Sequence, residues 1–384
     1  MKLSDFSSHA AIRQINISQT IRAVALSFVV IYIPIYLFTL GYSLHEVIYF
    51  YIIFHIFGLL FTFVVIVPLI QRWGVIHTLK LYYPLEILFL ILVLTLSSSG
   101  LSPWIVAMVG GAALFSYYIP ISILFVQNTQ VDKMGSDYAL FFALPKIFKI
   151  AGPLIGAFLV VFVGFWPVFA LAIIGLVVSY VPLVKIKDST IKIVLGLAAA
   201  WNTFKRKKTL FFLESIDNII EESEWFWGIY VYLMIGSLAT PGIVGSLEAF
   251  GAALFALLIG RYANNKTKHL IIIASSCLIA LSITRIFVEN PLPAYIITVI
   301  AAFVMTMFLV SYFTMIYRTV KRLHNTAEFV ILREIPTVIG RLVVFGVILL
   351  LSTSTLHYFF ILPIIAILFM LYILHLKQRY LVTD

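Results

Sequence analysis

Apolar stretches of membrane-spanning length recur from about Ile21 to Leu376, and only short polar or Gly- and Pro-containing segments separate them. A helix needs about 20 mainly apolar residues to cross a hydrocarbon core about 30 Å thick. Counting stretches of that length predicts about twelve helical spans, which we number in chain order. They cover residues 21–41, 47–70, 79–96, 103–126, 138–163, 167–184, 210–235, 242–262, 269–288, 294–317, 327–351 and 358–376.

Lys and Arg are concentrated in every second connector between these spans. Connectors that face the cytoplasm carry an excess of these residues, so the pattern predicts an even number of spans with both termini cytoplasmic. The opposite connectors hold little beyond Arg285. The cytoplasmic set is Lys2, Arg13, Arg72, Lys80, Lys133, Lys185, Lys187, Lys192, Lys205 to Lys208, Arg261, Lys266, Lys268, Arg318, Lys321, Arg322, Lys377 and Arg379.

The composition fits a chain that lies almost entirely within the bilayer. Hydrophobic residues make up 62% of it and charged residues 11%, and the mean hydropathy is +1.10. Soluble domains are roughly 45–50% apolar and about 25% charged. The sequence therefore predicts an all-α integral membrane protein. Its net charge of +10 is explained by topology and by contact with anionic lipid head groups, and no segment suits nucleic-acid binding.

The longest polar interruption lies near the middle of the chain and ends in the basic cluster Lys205 to Lys208. It predicts an N-terminal six-helix bundle over residues 1–184, a cytoplasmic central loop over 185–208 and a C-terminal six-helix bundle over 209–384. Within the loop, residues 191–204 are predicted to form an amphipathic helix at the membrane surface, with Trp201 at head-group depth.

The two halves resemble copies of each other. Residues 144–153 of the fifth span can be laid over 332–341 of the eleventh, with a Gly at the same place, and residues 69–74 correspond to 258–263. Two six-span repeats with the same orientation are typical of secondary transporters whose substrate site lies near the bilayer midplane.

With these features the chain resembles the major facilitator superfamily of secondary transporters over nearly its whole length. The loop motif of that family, Gly-x-Leu-Ala-Asp-Arg-x-Gly-Arg-Arg, is kept here at Arg72 and Gly74, whereas Gln71 stands where the family has Asp. The second copy keeps Arg261. Residues 151–156 resemble the Gly-Pro-x-x-Gly motif of the fifth span. The resemblance implies alternating access by a monomer in the plasma membrane, with gating contacts other than the missing Asp.

The seventh span carries an acidic stripe. Spacings of three, four and three place its carboxylates on one helical face, with Glu222 elsewhere. A charge at the bilayer centre costs about 2.5–3.5 kcal/mol on insertion scales, so these groups should face protein or water. In the resembled fold this span lines the central cavity. The stripe is Glu214, Asp217, Glu221 and Glu224.

Two interpretations of the stripe remain open at this point. In the first, Glu221 and Glu224 couple transport to protons or bind a cation, and Asp217 and Glu214 line the cytoplasmic approach. In the second, the span begins near Asn218, which leaves Glu214 and Asp217 solvated at the membrane edge.

Other charges inside spans suggest pairs between the two halves. Lys146 and Lys149 of the fifth span are expected near Glu248 of the eighth, because the resembled fold packs those helices together. A pair present in only one access state acts as a gate, whereas a static bridge merely offsets burial. A second set in the eleventh span is expected to pair internally or to approach the second span near His55. His55 is interpreted as a core histidine, with a proton relay as the alternative. The second set comprises Arg333, Glu334 and Arg341.

Polar and aromatic residues of the fourth and tenth spans are candidates for the cavity lining, because the resembled fold places both helices there. Aromatic rings could hold an apolar or cationic substrate, although ordinary packing is the alternative. Glu86 of the third span is expected to have a hydrogen-bonded structural role. The lining candidates are Tyr117, Tyr118, Gln127, Tyr312 and Met315.

The usual catalytic and metal-binding sequence patterns are absent, so no enzyme, metal or cofactor is predicted. The predicted function is secondary transport of a small organic solute, coupled to protons. A lipid or amphiphile flippase on the same frame, and a transport-inactive membrane sensor or assembly protein, are the alternatives. The expected partners are the solute, protons and the lipid bilayer.

Overall fold

The computed structural model describes residues 9–138, 147–184, 186, 197–321 and 326–376. These residues form helices and short turns, and no strand occurs among them. Eight of the described helical stretches are long and apolar enough to cross a membrane. The prediction of an all-α protein is confirmed.

The N-terminal half contains the helices of the first six predicted spans. The first is interrupted at residues 28–31, and the second includes a short π-helical turn, Thr62–Ile66. The bounds are His9–Ser27 and Tyr32–Thr39; Leu44–Phe61 and Val67–Trp73; Val75–Leu94, followed by Leu96–Ser99; Pro103–Asn128; Met134–Tyr138 and Ala151–Phe162 for the fifth; and Trp166–Tyr180 for the sixth, with short 3-10 turns at Val131–Lys133 and Val181–Leu183.

The C-terminal half begins with the helix Leu197–Arg206 in the predicted central loop. Trp201 on this helix is exposed, and the Lys205 ammonium lies 5.2 Å from its ring. The remaining bounds are Lys208–Ile235 for the seventh span, Thr240–Ile286 for the eighth and ninth, Pro291–Lys321 for the tenth, Thr326–Leu332 and Glu334–Leu350 for the eleventh, and Thr353–Phe360 and Ile361–Leu376 for the twelfth.

The connector between the second and third spans is shorter than the polar sequence suggests. Helices extend into the predicted loop from both sides, and only Gly74 separates Trp73 from Val75. Gly74 has a φ of +94°, which a glycine adopts without the strain imposed by a Cβ. Its carbonyl accepts a hydrogen bond from the Thr78 hydroxyl at 2.8 Å, so the next helix begins at once.

The eighth and ninth spans form one uninterrupted run of helical residues, although two separate helices were predicted. A straight helix would place Gly251 and Arg285 about 50 Å apart at 1.5 Å per residue. Yet Gly251 packs against the backbone of Val299, and the Arg285 guanidinium lies 4.7 Å from the Trp227 ring. That ring donates to Thr298, the neighbour of Val299. The chain therefore reverses between Gly251 and Arg285, as two antiparallel spans require.

Contacts divide the chain into two compact units. The first contains residues 1–128, 155–199 and 325–334, and the second contains 129–154, 200–324 and 335–384. Part of the fifth span thus groups with the C-terminal helices, and the start of the eleventh groups with the N-terminal ones. Within the second unit, the Leu154 amide of the fifth span donates to the Ser246 hydroxyl of the eighth at 3.2 Å.

Candidate functional site

A buried arginine forms the centre of a polar cluster in the first unit. Arg22 of the first span is 9% exposed, and its guanidinium lies 3.5 Å from the Tyr117 ring and 4.6 Å from the Tyr82 ring. Its Nε donates to the Tyr82 hydroxyl at 2.6 Å. One turn earlier, Gln19 accepts a hydrogen bond from the Tyr117 hydroxyl at 3.3 Å. We call these four residues, together with Glu86, the Arg22 cluster.

Glu86 of the third span is buried and interacts electrostatically with Arg22. Among the described residues no carboxylate lies within 4 Å of Arg22, and Glu86 makes no hydrogen bond. The structural role predicted for Glu86 stays a prediction, and its burial beside Arg22 is consistent with it. The helices around the cluster are held together by Ser18, whose hydroxyl bonds to the Tyr83 hydroxyl and to the Ser179 carbonyl, each at 2.6 Å.

The second unit has its own buried arginine. Arg285 at the end of the ninth span is 1% exposed, and its two terminal nitrogens donate to the two carboxylate oxygens of Glu224 at 2.6 and 2.7 Å. The guanidinium also lies 4.7 Å from the Trp227 ring and 5.8 Å from the Phe360 ring. The Trp227 Nε1 donates to the Thr298 hydroxyl at 2.9 Å, which fixes the ring. We call these five residues the Arg285 cluster.

The remaining acids of the seventh span differ in their surroundings. Glu214 and Asp217 are 1% and 0% exposed in a helix that begins at Lys208, so the alternative that leaves them solvated is wrong. Glu221 is half-buried. Glu222, which lies off the stripe, is buried and forms an ion pair with Arg341 of the eleventh span at 3.3 Å.

The seventh and eleventh spans approach each other closely beside this ion pair. An added Cβ on Gly340 would overlap the Ser215 carbonyl, so only glycine fits there. The Ser215 hydroxyl donates to the Pro336 carbonyl at 2.8 Å, and the Asn218 amide donates to Thr337 at 3.2 Å. The acids of the seventh span are therefore held against a tightly packed neighbour.

The charged residues of the eleventh span fall into two groups. Arg333 and Glu334 form an ion pair at 3.5 Å, as predicted for pairing within that span. Arg333 also donates to the Ser122 hydroxyl of the fourth span at 3.4 Å. Arg341 pairs with Glu222 instead. His55 is buried among aromatic rings, with the Phe54 ring at 5.2 Å, as predicted for a core histidine.

The other predicted gate residues are only partly described. Lys146 lies outside the described residues. Lys149 and Glu248 are both half-buried, and they lie on spans that contact each other.

The predicted lining residues differ in exposure. Tyr117 is buried against Arg22, and Tyr118 on the next position is 43% exposed. Gln127 is half-buried near the end of its helix. Tyr312 and Met315 are buried, and the Tyr312 ring stacks on Phe308 with centroids 5.7 Å apart.

The loop-motif residues occupy the junction of the second and third spans. Gln71 and Arg72 are exposed on the last turn of one helix, directly before Gly74. Arg261 lies within the helical run Thr240–Ile286, and its side chain is outside the described residues. No cluster of three metal-ligating side chains occurs in the described part of the chain.

Sequence reasoning missed both central arginines. The predicted first span begins at Ile21, which places Arg22 at its edge, whereas the helix begins at His9. Arg285 was counted with a connector, whereas its guanidinium is buried. The signal was present in both cases, since an arginine inside an apolar run demands a partner or water.

The fold is that of solved transporters of the major facilitator type. One is the nucleoside transporter NupG, with 12% identity, a TM-score of 0.66, and coverage of 98% of this chain and 100% of that one. A bacterial homologue of the iron transporter ferroportin, in an outward-facing state, has 15% identity and a TM-score of 0.66, with 96% and 99% covered. The E. coli fucose:proton symporter FucP has 12% identity and a TM-score of 0.68, with 96% and 99% covered.

No protein-family model matches the sequence, and no curated protein matches it significantly. At identities of 12–15% the solved structures establish the fold of this chain and not its substrate. The chain is an all-α, multi-pass membrane protein with a major facilitator fold.

Proposed function

We propose that the protein is a secondary active transporter that moves a small organic solute by alternating access and couples this movement to protons through Glu224. The ion pair between Glu224 and Arg285 is the observation that carries the proposal. We further propose that the protein acts as a monomer in the plasma membrane, with both termini cytoplasmic and without enzymatic activity.

Stability alone is a weak reason for this ion pair. Replacing a buried pair by well-packed apolar residues of similar volume is often neutral or stabilising. Here the Arg285 side chain is 1% exposed and its partner Glu224 is 22% exposed, so one fully buried charge and one partly buried charge lie in a protein whose helices are mainly apolar. Intramembrane ionisable residues commonly mark ion pathways and proton relays. A functional role therefore explains the pair better than a purely structural one.

The geometry supports a specific coupling step. While both oxygens of Glu224 accept hydrogen bonds from Arg285, the guanidinium balances the charge of the carboxylate. A change of access state that separates the two groups would leave the carboxylate in apolar surroundings, where it accepts a proton. Proton uptake and the conformational change would then favour each other, which is the thermodynamic requirement for coupling.

The other acids of the seventh span extend the proposed proton route. Glu221 precedes Glu224 by three residues, and Asp217 and Glu214 continue the same helical face toward the start of the helix. We propose that Glu221 exchanges protons with Glu224. We also propose gate contacts in four spans. They are the ion pair Arg333–Glu334 within the eleventh span, the ion pair between Glu222 of the seventh span and Arg341 of the eleventh, and the residues Lys149 of the fifth span and Glu248 of the eighth.

Proteins that share the fold support transport as the general activity. The three solved structures are of a nucleoside transporter, a homologue of an iron transporter and a fucose:proton symporter. The third shows that this fold can couple a solute to protons.

Proton movement in energised proteoliposomes tests the proposal. Addition of solutes from a chemically diverse library should trigger proton uptake with one class of solute, and Glu224→Gln should abolish the uptake. Glu289→Gln is the matched control, because Glu289 is an exposed acid just beyond the helix that carries Arg285. Uptake that persists in Glu224→Gln would overturn the coupling role. Absence of solute movement in the parent protein would favour a flippase or a sensor.

A further inference from the structure

We propose that the Arg22 cluster binds the carboxylate group of the transported solute, so that the substrate is a small organic anion. This inference rests on the proposed transport function and names its substrate class. It replaces the expectation of a cationic substrate, because Glu224, the acid best placed for a cation, is already neutralised by Arg285.

The first support is the set of donors that Arg22 leaves unused. Its Nε donates to Tyr82, and Tyr82 and Tyr117 cover its faces. Its two terminal nitrogens carry four further N–H donors. The Tyr117 hydroxyl engages part of this set, and within the described part of the chain no carboxylate oxygen lies within 4 Å of it. A guanidinium that is 91% removed from solvent is expected to have such acceptors, since burying charged donors without them is unfavourable.

Gln19 supplies an independent second donor. It is 5% exposed, and its Nε2 is buried without a hydrogen-bond acceptor among the described residues, while its Oε1 is engaged by Tyr117. Gln19 and Arg22 are three residues apart on one helix, so their side chains lie on the same face. Both contact the same Tyr117 side chain. A buried amide donor without an acceptor therefore lies beside a buried guanidinium that has no carboxylate partner among the described residues.

The chain itself contains a completed version of this arrangement. Arg285 is also buried against an aromatic ring, Trp227, and there both terminal nitrogens bind one carboxylate, that of Glu224. Arg22 is likewise buried and in contact with aromatic rings, but no carboxylate among the described residues lies within 4 Å of its guanidinium. The comparison indicates the ligand that matches the unused side of Arg22, since the planar fork of a guanidinium fits the two oxygens of a carboxylate.

Local charge favours a carboxylate over a phosphate. Arg22 carries one positive charge, and Glu86 acts on it from beyond 4 Å. A ligand with one negative charge can be held by the guanidinium and the Gln19 amide. A phosphate with close to two charges would meet the same single cation in the presence of Glu86, and like charges at close range are unfavourable.

The test is equilibrium binding by the full-length protein, purified in detergent and followed by its thermal midpoint of unfolding. The probes are acetate, benzoate, phenylacetate and succinate, each compared with its own carboxamide, together with inorganic phosphate. A ligand that binds the folded state raises the midpoint in a concentration-dependent manner. The variants are Arg22→Gln, Arg22→Lys and Gln19→Leu. Arg13→Gln is the matched control, because Arg13 is an exposed arginine on the same helix.

We expect at least one carboxylate to raise the midpoint while its carboxamide does not. Arg22→Gln should weaken the apparent affinity about tenfold or more, Arg22→Lys should recover part of it without the bidentate geometry, and Gln19→Leu should weaken it several-fold. Arg13→Gln should bind as the parent protein does. If Arg22→Gln fails to fold, the Arg22→Lys and Gln19→Leu variants carry the test.

Three results would overturn the proposal. The first is that no carboxylate raises the thermal midpoint more than its carboxamide does. The others are a rise that persists in both Arg22→Gln and Gln19→Leu, and a rise with phosphate alone. The assay needs no proton gradient and leaves Glu224 unchanged. Carboxylate binding without solute-driven proton movement would therefore refute the coupled transport function and retain the binding site.

Discussion

The two buried arginines of this protein have similar aromatic surroundings and different counter-ions. Arg285 binds both oxygens of Glu224 while lying against Trp227. Arg22 lies against Tyr117 and Tyr82, and among the described residues the only acid that acts on it, Glu86, stays beyond 4 Å. The charge of Arg285 is balanced by a carboxylate of the chain, although its Nε has no hydrogen-bond acceptor among the described residues, whereas no described carboxylate lies within 4 Å of Arg22. This difference is the basis for proposing a coupling role for the Glu224–Arg285 pair and a recognition role for Arg22.

The largest expected effect follows from breaking the completed pair. Glu224→Gln leaves Arg285 buried with a weaker acceptor, and Glu224→Leu leaves it with none. Breaking a buried ion pair in this way costs about 3–5 kcal/mol. We expect Glu224→Leu to lose stability in this range, measured by reversible unfolding in mixed micelles, and Glu224→Gln to lose less.

The double variant Glu224→Leu, Arg285→Met sharpens this prediction. If the penalty comes from the stranded arginine, removing the arginine as well should restore most of the lost stability. A double variant as unstable as Glu224→Leu alone would mean that the carboxylate contributes packing or further hydrogen bonds, and the contrast with Arg22 would lose its electrostatic basis.

A smaller effect is expected from Arg22→Met. Among the described residues, no carboxylate within 4 Å of Arg22 loses an ion-pair partner in this variant. The ring contacts that are lost contribute about 0.5–2 kcal/mol. Removal of a buried charge offsets part of that loss. The free energy of unfolding should therefore fall by no more than about 2 kcal/mol, in the same assay. A loss as large as that of Glu224→Leu would show that Arg22 is already paired, and would contradict the comparison.

The smallest effect concerns the hydrogen bond between the Arg22 Nε and the Tyr82 hydroxyl. Tyr82→Phe removes the hydroxyl that accepts from the Arg22 Nε and should cost about 1 kcal/mol. Tyr180→Phe is the control, because the Tyr180 ring contacts Tyr83 while its hydroxyl makes no hydrogen bond among the described residues. Equal stabilities of the two variants would mean that Tyr82 does not hold the guanidinium in place.

The helical spans were predictable because their length and apolar character follow from the bilayer alone. Span ends were less predictable. The first helix begins at His9, well before the apolar run, and a single residue, Gly74, replaces a predicted connector of several residues. Helix ends depend on caps and on contacts with other helices, which a hydropathy pattern does not contain.

The candidate acids of the seventh span were also visible in the sequence, because an acid every three or four residues in an apolar helix is rare. Their separate surroundings were not visible. Glu224 pairs with a residue 61 positions away, and Glu222, which lies off the stripe, pairs with Arg341 of the eleventh span. Helical periodicity gives the face on which a side chain lies, and it carries no information about which distant helix covers that face.

The sequence by itself determined that this chain is an all-α membrane protein of about twelve helices, because the length and apolar character of each span are local properties. Tertiary structure alone decided which charges are neutralised. Arg22 and Arg285 are both arginines near the predicted edge of an apolar run, and only packing brings a carboxylate to one and tyrosine rings to the other. The energy of a buried charge depends on the groups within a few ångströms of it, and folding brings those groups from distant parts of the chain.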